Sequence, residues 1–127
     1  MNRWYVKDFS KLVGISVQTL HHYDQIGVLS PSVRLPNGYR LYSEKDLFRL
    51  KQVLALKYFG FELSQINTLL SGKVNPLEFF SKQARRLEEK SVIFMETSKI
   101  LNKIIADMQA DSSIPWEAII KSVEKST

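Results

Sequence analysis

Apolar residues recur at helical spacing from the start of the chain, and the runs stop at glycines. Phe9, Leu12 and Val13 predict a short helix ended by Gly14. Ser16 reads as the cap of a second helix over residues 17–25, which stops before Gly27. Two short helices joined by Gly14-Ile15-Ser16 make a helix-turn-helix pattern. On the second helix, Val17 and Leu20 share a face with Tyr23 or Asp24. Gln18, Thr19, His21 and His22 are left mostly outward, all able to donate or accept hydrogen bonds.

From Val28 to Tyr42 the helical period is lost. Pro31 and Pro36 break it, and Pro36-Asn37-Gly38 is a turn signal. Val33-Arg34-Leu35 and Tyr39-Arg40-Leu41-Tyr42 are β-prone runs on either side, which predicts a small hairpin, or wing. Ser43 caps the next helix, with Asp46 at the capping-box position where Glu is preferred. Leu47, Leu50, Val53 and Leu54 carry that helix towards Gly60. Leu63, Ile66, Leu69 and Leu70 define another, stopped at Gly72.

Asn75-Pro76-Leu77-Glu78 is a helix start, with Asn as cap and Pro at the first helical position. Neither Gly nor Pro then interrupts the chain until Pro115. Alternating steps of three and four pick out Phe80, Ala84, Leu87, Ser91, Phe94, Ser98, Leu101, Ile105 and Met108. Only the two serines are not apolar, so the series is a coiled-coil seam. A helix of about 33 residues reaches roughly 50 Å, far beyond what a domain this small can cover. With no second long helix in the chain, homodimerisation through Phe80, Ala84, Leu87, Phe94, Leu101, Ile105 and Met108 is expected. Beyond Asp111-Ser112-Ser113, Trp116, Ile119, Ile120 and Val123 form a stripe too apolar for a free tail. It either packs on the dimer or begins a further domain.

The domains expected are therefore 1–74, the helix-turn-helix with its wing; 75–110, the dimerisation helix; and 111–127, a tail with a short amphipathic helix. The 127 residues are 44% hydrophobic, which fits a folded domain rather than a disordered chain. No apolar run is long enough for a membrane span, and residues 1–8 lack the apolar core of a secretory signal. The absence of cysteine excludes disulfides, thiol catalysis and thiolate metal sites. A cytoplasmic protein with no membrane partner is expected.

The net charge of +5 is unevenly placed. Residues 1–60 carry nine Lys/Arg against four acids, whereas residues 61–127 carry nine of each. The first half is thus the candidate for a polyanion partner, although charge alone does not separate that from a merely basic surface. Enzymatic signatures are missing: no phosphate-binding Gly-rich loop, no G-x-S-x-G and no H-E-x-x-H. His21 and His22 are the only histidines, and as helix neighbours they point about 100° apart and cannot chelate one metal ion together. No metal, no cofactor and no catalysis are expected.

Double-stranded DNA fits better. Ser16, Gln18 and Thr19 sit at the cap and first turn of a recognition helix, the end that enters a groove. Gln18 suits an adenine edge, and His21 or His22 suits a base or phosphate. Arg34 and Arg40 flank the wing turn beside Tyr39 and Tyr42, a basic and aromatic mix suited to the sugar-phosphate backbone. Tyr42 is equally compatible with core or contact. Tyr23 reads as mixed, with its ring buried and its hydroxyl towards phosphate.

Ser16-Val17-Gln18-Thr19-Leu20-His21-His22-Tyr23-Asp24-Gln25-Ile26-Gly27, followed by Asn37-Gly38-Tyr39-Arg40-Leu41-Tyr42-Ser43, closely resembles the DNA-binding domain of MerR-family transcription regulators. Phe59-Gly60-Phe61 resembles the family's next landmark, and the likeness covers roughly residues 4–110. It implies a mainly α fold: a winged helix-turn-helix, a second helix pair, and a long antiparallel coiled-coil dimerisation helix. It further implies a dimer on a pseudo-palindromic promoter operator whose promoter elements lie too far apart. The dimer would bend and untwist that DNA, acting on RNA polymerase indirectly.

The recognition-helix positions fall on Gln18, Thr19, His21, His22 and Tyr23. Those of the wing fall on Arg34, Asn37, Tyr39, Arg40 and Tyr42, and Lys57 matches a basic backbone contact. One departure is Gln18, where most members carry Arg and make a charge-assisted phosphate contact that Gln cannot supply. The Leu-His-His-Tyr-Asp form resembles the branch with a C-terminal domain for organic molecules, so an organic inducer is implied. The chain stops where such a domain would start, which leaves a short regulator or part of a longer one. The alternatives are a coiled-coil interaction adaptor and an excisionase-like architectural DNA binder.

Overall fold

The fold begins with a strand that the periodicity does not announce. In the computed structural model, which describes residues 2–125, β1 (Arg3–Tyr5) leads directly into α1 (Val6–Val13). There follow α2 (Val17–Gln25), β2 (Val33–Arg34), β3 (Arg40–Ser43), α3 (Glu44–Tyr58), α4 (Leu63–Leu70), α5 (Pro76–Ala110) and α6 (Trp116–Glu124). The three strands form one antiparallel sheet in the order β1-β3-β2. In its register Arg3 faces Ser43, Trp4 faces Tyr42 and Tyr5 faces Leu41, while Arg34 faces Arg40. The wing is therefore the outer part of a sheet whose far edge is the N-terminus of the chain. Its turn is closed by Gly38 at φ +87°, a left-handed conformation that L side chains rarely adopt.

The chain divides into two compact units, one ending at Phe79 and one beginning at Phe80. The first keeps the opening of α5 because Phe79 stacks on Phe61, with ring centroids 4.3 Å apart. Its core gathers Phe9, Leu20, Tyr23, Val28, Leu29, Tyr42, Leu50, Val53, Leu56, Phe61 and Ile66. At the centre, Phe9 lies flat on Tyr42 at 4.4 Å, and both residues are 0% exposed. Burying a side chain such as Phe9 is worth about 1.5–3 kcal/mol.

Local sequence sets each boundary. Gly14 ends α1 in the left-handed region. Ser16 caps α2, its hydroxyl oxygen accepting from the Thr19 amide at 3.0 Å. At α3 the capping box is complete: Ser43 Oγ accepts from the Asp46 amide, and Asp46 Oδ2 accepts from the Ser43 amide at 2.8 Å. Asp46 also reaches outside the helix. Its carboxylate accepts from the Ser32 amide at 2.9 Å and the Ser32 hydroxyl at 2.6 Å, tying the start of the wing to the start of α3. One turn further along α3, Arg49 Nε donates to the Val28 carbonyl at 3.0 Å.

The second unit holds the rest of α5 and all of α6. Phe80, Leu87, Phe94, Leu101 and Ile105 of the expected seam are exposed, as is Ala84, while Met108 is half-buried. Val92, Ile93 and Met95 are exposed as well. With about 100° between neighbours, residues 92–95 carry apolar groups around most of the helix, so the middle of α5 is more apolar than a one-sided seam requires. On α6, Trp116, Ile120 and Val123 are exposed and Ile119 is half-buried. No helix is long and apolar enough to cross a membrane, among the described residues.

Candidate nucleic-acid interface

The first turn of α2 and the wing carry the residues with the chemistry to meet DNA. On α2, Gln18, His21 and His22 are exposed and make no side-chain hydrogen bond among the described residues. Ser16 and Thr19 are engaged with each other, hydroxyl to hydroxyl at 2.8 Å, so they first serve the helix end. Leu20 and Tyr23 face the core and fix the rotation of α2, which is what turns the polar residues outward.

Tyr23 is buried, and its hydroxyl is 3.3 Å from Lys57 Nζ, with that ammonium 5.9 Å from the ring centroid. The chemistry pairs them, an ammonium donating to a phenol oxygen and lying near its π-face. Two residues 34 positions apart, both expected at the DNA surface, thus belong to one local contact. Tyr42 is corrected. It was open to either role, and the structure places it wholly in the core, stacked on Phe9, with a hydroxyl that finds no hydrogen-bond partner among the described residues. Strand alternation explains this: β3 turns Tyr42 inward between Leu41 and Ser43. Burial, with the Asp24 charge adding to it, pushes the Tyr42 phenol above its ordinary pKa.

In the wing, Asn37 Oδ1 accepts from the Tyr39 amide at 3.1 Å, so Asn37 shapes the turn. Tyr39 projects from it and meets Tyr5 edge-to-face at 5.9 Å. Tyr5, Val6, Lys7, Asp8, Tyr39 and Arg40 line a cavity of about 500 Å³ there. Tyr5 and Lys7 were not among the residues expected at this surface. The signal for them was the β-prone, aromatic run Arg3-Trp4-Tyr5-Val6, too short to show a period.

Arg34 and Arg40 are cross-strand neighbours, an unfavourable pairing of like charges. Asp24, from the last turn of α2, relieves it. Arg34 Nη2 donates to both Asp24 carboxylate oxygens at 2.9 Å, and Arg40 Nη2 lies 3.8 Å from Oδ2. Burial alone would raise the Asp24 carboxyl pKa. Hydrogen bonds from Arg34 and Ser30, with the charges of Arg34 and Arg40, outweigh it and hold the group below the ordinary value. The wing and the recognition helix are thereby joined through one carboxylate, and the cluster keeps a net positive charge. No group of residues suited to holding a metal ion occurs among the described residues.

The chain is similar to known proteins. The sequence model for the MerR family regulatory protein matches residues 5–42. The HTH-type transcriptional activator mta of Bacillus subtilis is 33% identical over 115 residues, covering 80% of this chain and 45% of that protein. The chain thus spans about half the length of the curated relatives it matches. The crystal structure of the N-terminus of the B. subtilis multidrug transporter activator, MtaN, is 35% identical. It aligns with a TM-score of 0.73, over 80% of this chain and 97% of that one. HiNmlR, a MerR family regulator lacking the sensor domain and solved bound to promoter DNA, shares the fold with a TM-score of 0.60. It is 24% identical, with 89% and 98% of the two chains covered.

Proposed function

The chain belongs to the MerR family of regulatory proteins, and on that premise we propose that it is a sequence-specific DNA-binding transcription regulator. A homodimer would grip a pseudo-palindromic promoter operator, one recognition helix and one wing per half-site. Gln18, His21 and His22 would meet base edges or phosphates. Tyr39, Arg34, Arg40 and Lys57 would follow the sugar-phosphate backbone. The observation that carries this reading is the shared carboxylate that sets a basic wing beside the exposed polar turn of α2. A rigid pair of elements at fixed spacing is what groove-plus-backbone recognition needs.

Dimerisation is supported by α5, on which the seam residues Leu87, Phe94, Leu101 and Ile105 are exposed. The finer reading is what the family resemblance implies: the dimer would deform an over-long promoter so that RNA polymerase reaches both elements. An organic small molecule would shift the balance between the two DNA shapes. The two ends of the function are thus a DNA shape and a ligand, with no chemical reaction between them.

The test is a footprint of the purified protein on DNA upstream of its own gene, with an unrelated promoter as control. A protected palindrome between the promoter elements, lost as salt rises, is the expected result, because each phosphate contact releases counterions. No protection at low salt would overturn the reading in favour of a coiled-coil adaptor. Protection without a palindrome, insensitive to sequence, would favour architectural binding.

A further inference from the structure

Asp24 is an acid set between the two arginines that the wing would present to DNA. Its side chain is only 10% exposed, while that of its main partner, Arg34, is 53% exposed. One nitrogen of Arg34 makes both bonds to the carboxylate, which leaves Nε and Nη1 uncommitted among the described residues. Arg40 stands at 3.8 Å on the same oxygen, with its side chain 32% exposed. The two guanidiniums are therefore held by their inner faces and keep outward donors for a phosphate.

We infer that Asp24 is a specificity-determining counter-charge, which offsets one of the two wing arginines and fixes both against the recognition helix. The inference rests on the DNA-binding reading above. Two physical effects combine. Two free guanidiniums on adjacent strands would repel, splay and adapt to phosphates on any duplex, and that is the sequence-independent part of binding. Held on a carboxylate at the end of α2, they meet a phosphate only where α2 is seated in the groove. Asp24 thus lowers affinity for DNA in general and couples the backbone contacts to the base contacts.

The experiment compares the full chain with Asp24→Asn and Arg34→Gln on the footprinted operator fragment and on an unrelated duplex of equal length. Binding is measured across a salt series. In Asp24→Asn, affinity for the unrelated duplex should rise and its salt slope steepen by about one. The ratio of operator to unrelated affinity should fall about tenfold or more, within the range specific binding normally commands. Asp24→Glu, which keeps the charge, should recover part of that ratio.

Arg34→Gln changes an exposed side chain and remains informative even if Asp24→Asn does not fold. If Arg34 were a simple phosphate contact, both duplexes would lose affinity by the same factor. The inference expects the ratio to fall as well, since the wing loses its main tie to α2. An unchanged ratio in either folded variant overturns it. So does a parallel loss of affinity for both duplexes in Asp24→Asn. If the unaltered chain binds no DNA at low salt, the DNA-binding reading itself has failed, an outcome separate from these.

Discussion

The N-terminal unit and the helices beyond it spend the same kind of residue in opposite ways. Phe9 is 0% exposed and stacked on Tyr42, whereas Phe94, on α5, is 68% exposed. Leu50 and Val53 are buried in α3, whereas Leu101 and Ile105 are exposed on α5. Periodicity is helical in both regions. What differs is closure. Short elements joined by tight turns fold back on one another and bury their apolar faces within one chain. A 35-residue helix, about 50 Å long, has nothing of its own length to fold against among the described residues. An apolar stripe is therefore a statement about burial only once the fold shows what it is buried against.

The sharpest way to break that comparison is Leu101→Glu. A charge in the α5 seam should remove the dimer entirely in sedimentation equilibrium and abolish operator binding, while the melting of the N-terminal unit stays as it was. An undiminished dimer would mean that the seam runs elsewhere on α5, for which Val92, Ile93 and Met95 are the alternatives. Next in size is Phe9→Ala, expected to cost about 3–5 kcal/mol in denaturant unfolding through the cavity it leaves. The same substitution at Phe94 should leave that transition unmoved and weaken only self-association. Equal effects at the two sites would erase the distinction between the regions.

Asp46→Ala tests whether polar closure matters beside apolar closure. It strips an acceptor from the Ser43 amide and from both the amide and the hydroxyl of Ser32. A loss of about 2 kcal/mol in thermal or chemical unfolding is expected, from a helix cap and the part-buried donors left unpaired. The smallest effect belongs to Tyr42→Phe. Its hydroxyl is buried without a partner among the described residues, so removing it should raise stability by about 1 kcal/mol. DNA affinity should not change. A drop in affinity with unaltered melting would restore Tyr42 to the contact surface.

The helices were legible because their information is local. Ser16, Ser43 and Asn75 mark starts, while Gly14, Gly60 and Gly72 mark stops, each by the backbone groups of its immediate neighbours. The wing turn was legible for the same reason, since Asn37 and Gly38 satisfy it from within. The exposed polar residues of α2 follow from its period, which sets Val17 and Leu20 on the inward face.

Other features could not be read in this way, because each depends on groups distant in sequence. A three-residue strand has no period to detect, and β1 exists because β3, some forty residues on, offers it an edge. Tyr42 was balanced between core and surface until the sheet register set Trp4 opposite it and Phe9 beneath it. Asp24 looked like one more polar residue on a helix until the wing brought Arg34 and Arg40 to it. Sequence by itself determined where this chain turns helical and where it stops, since capping and periodicity act within a few residues. Only the tertiary structure decided which charges meet and which tyrosine is buried, because those energies arise between residues that the chain order keeps apart.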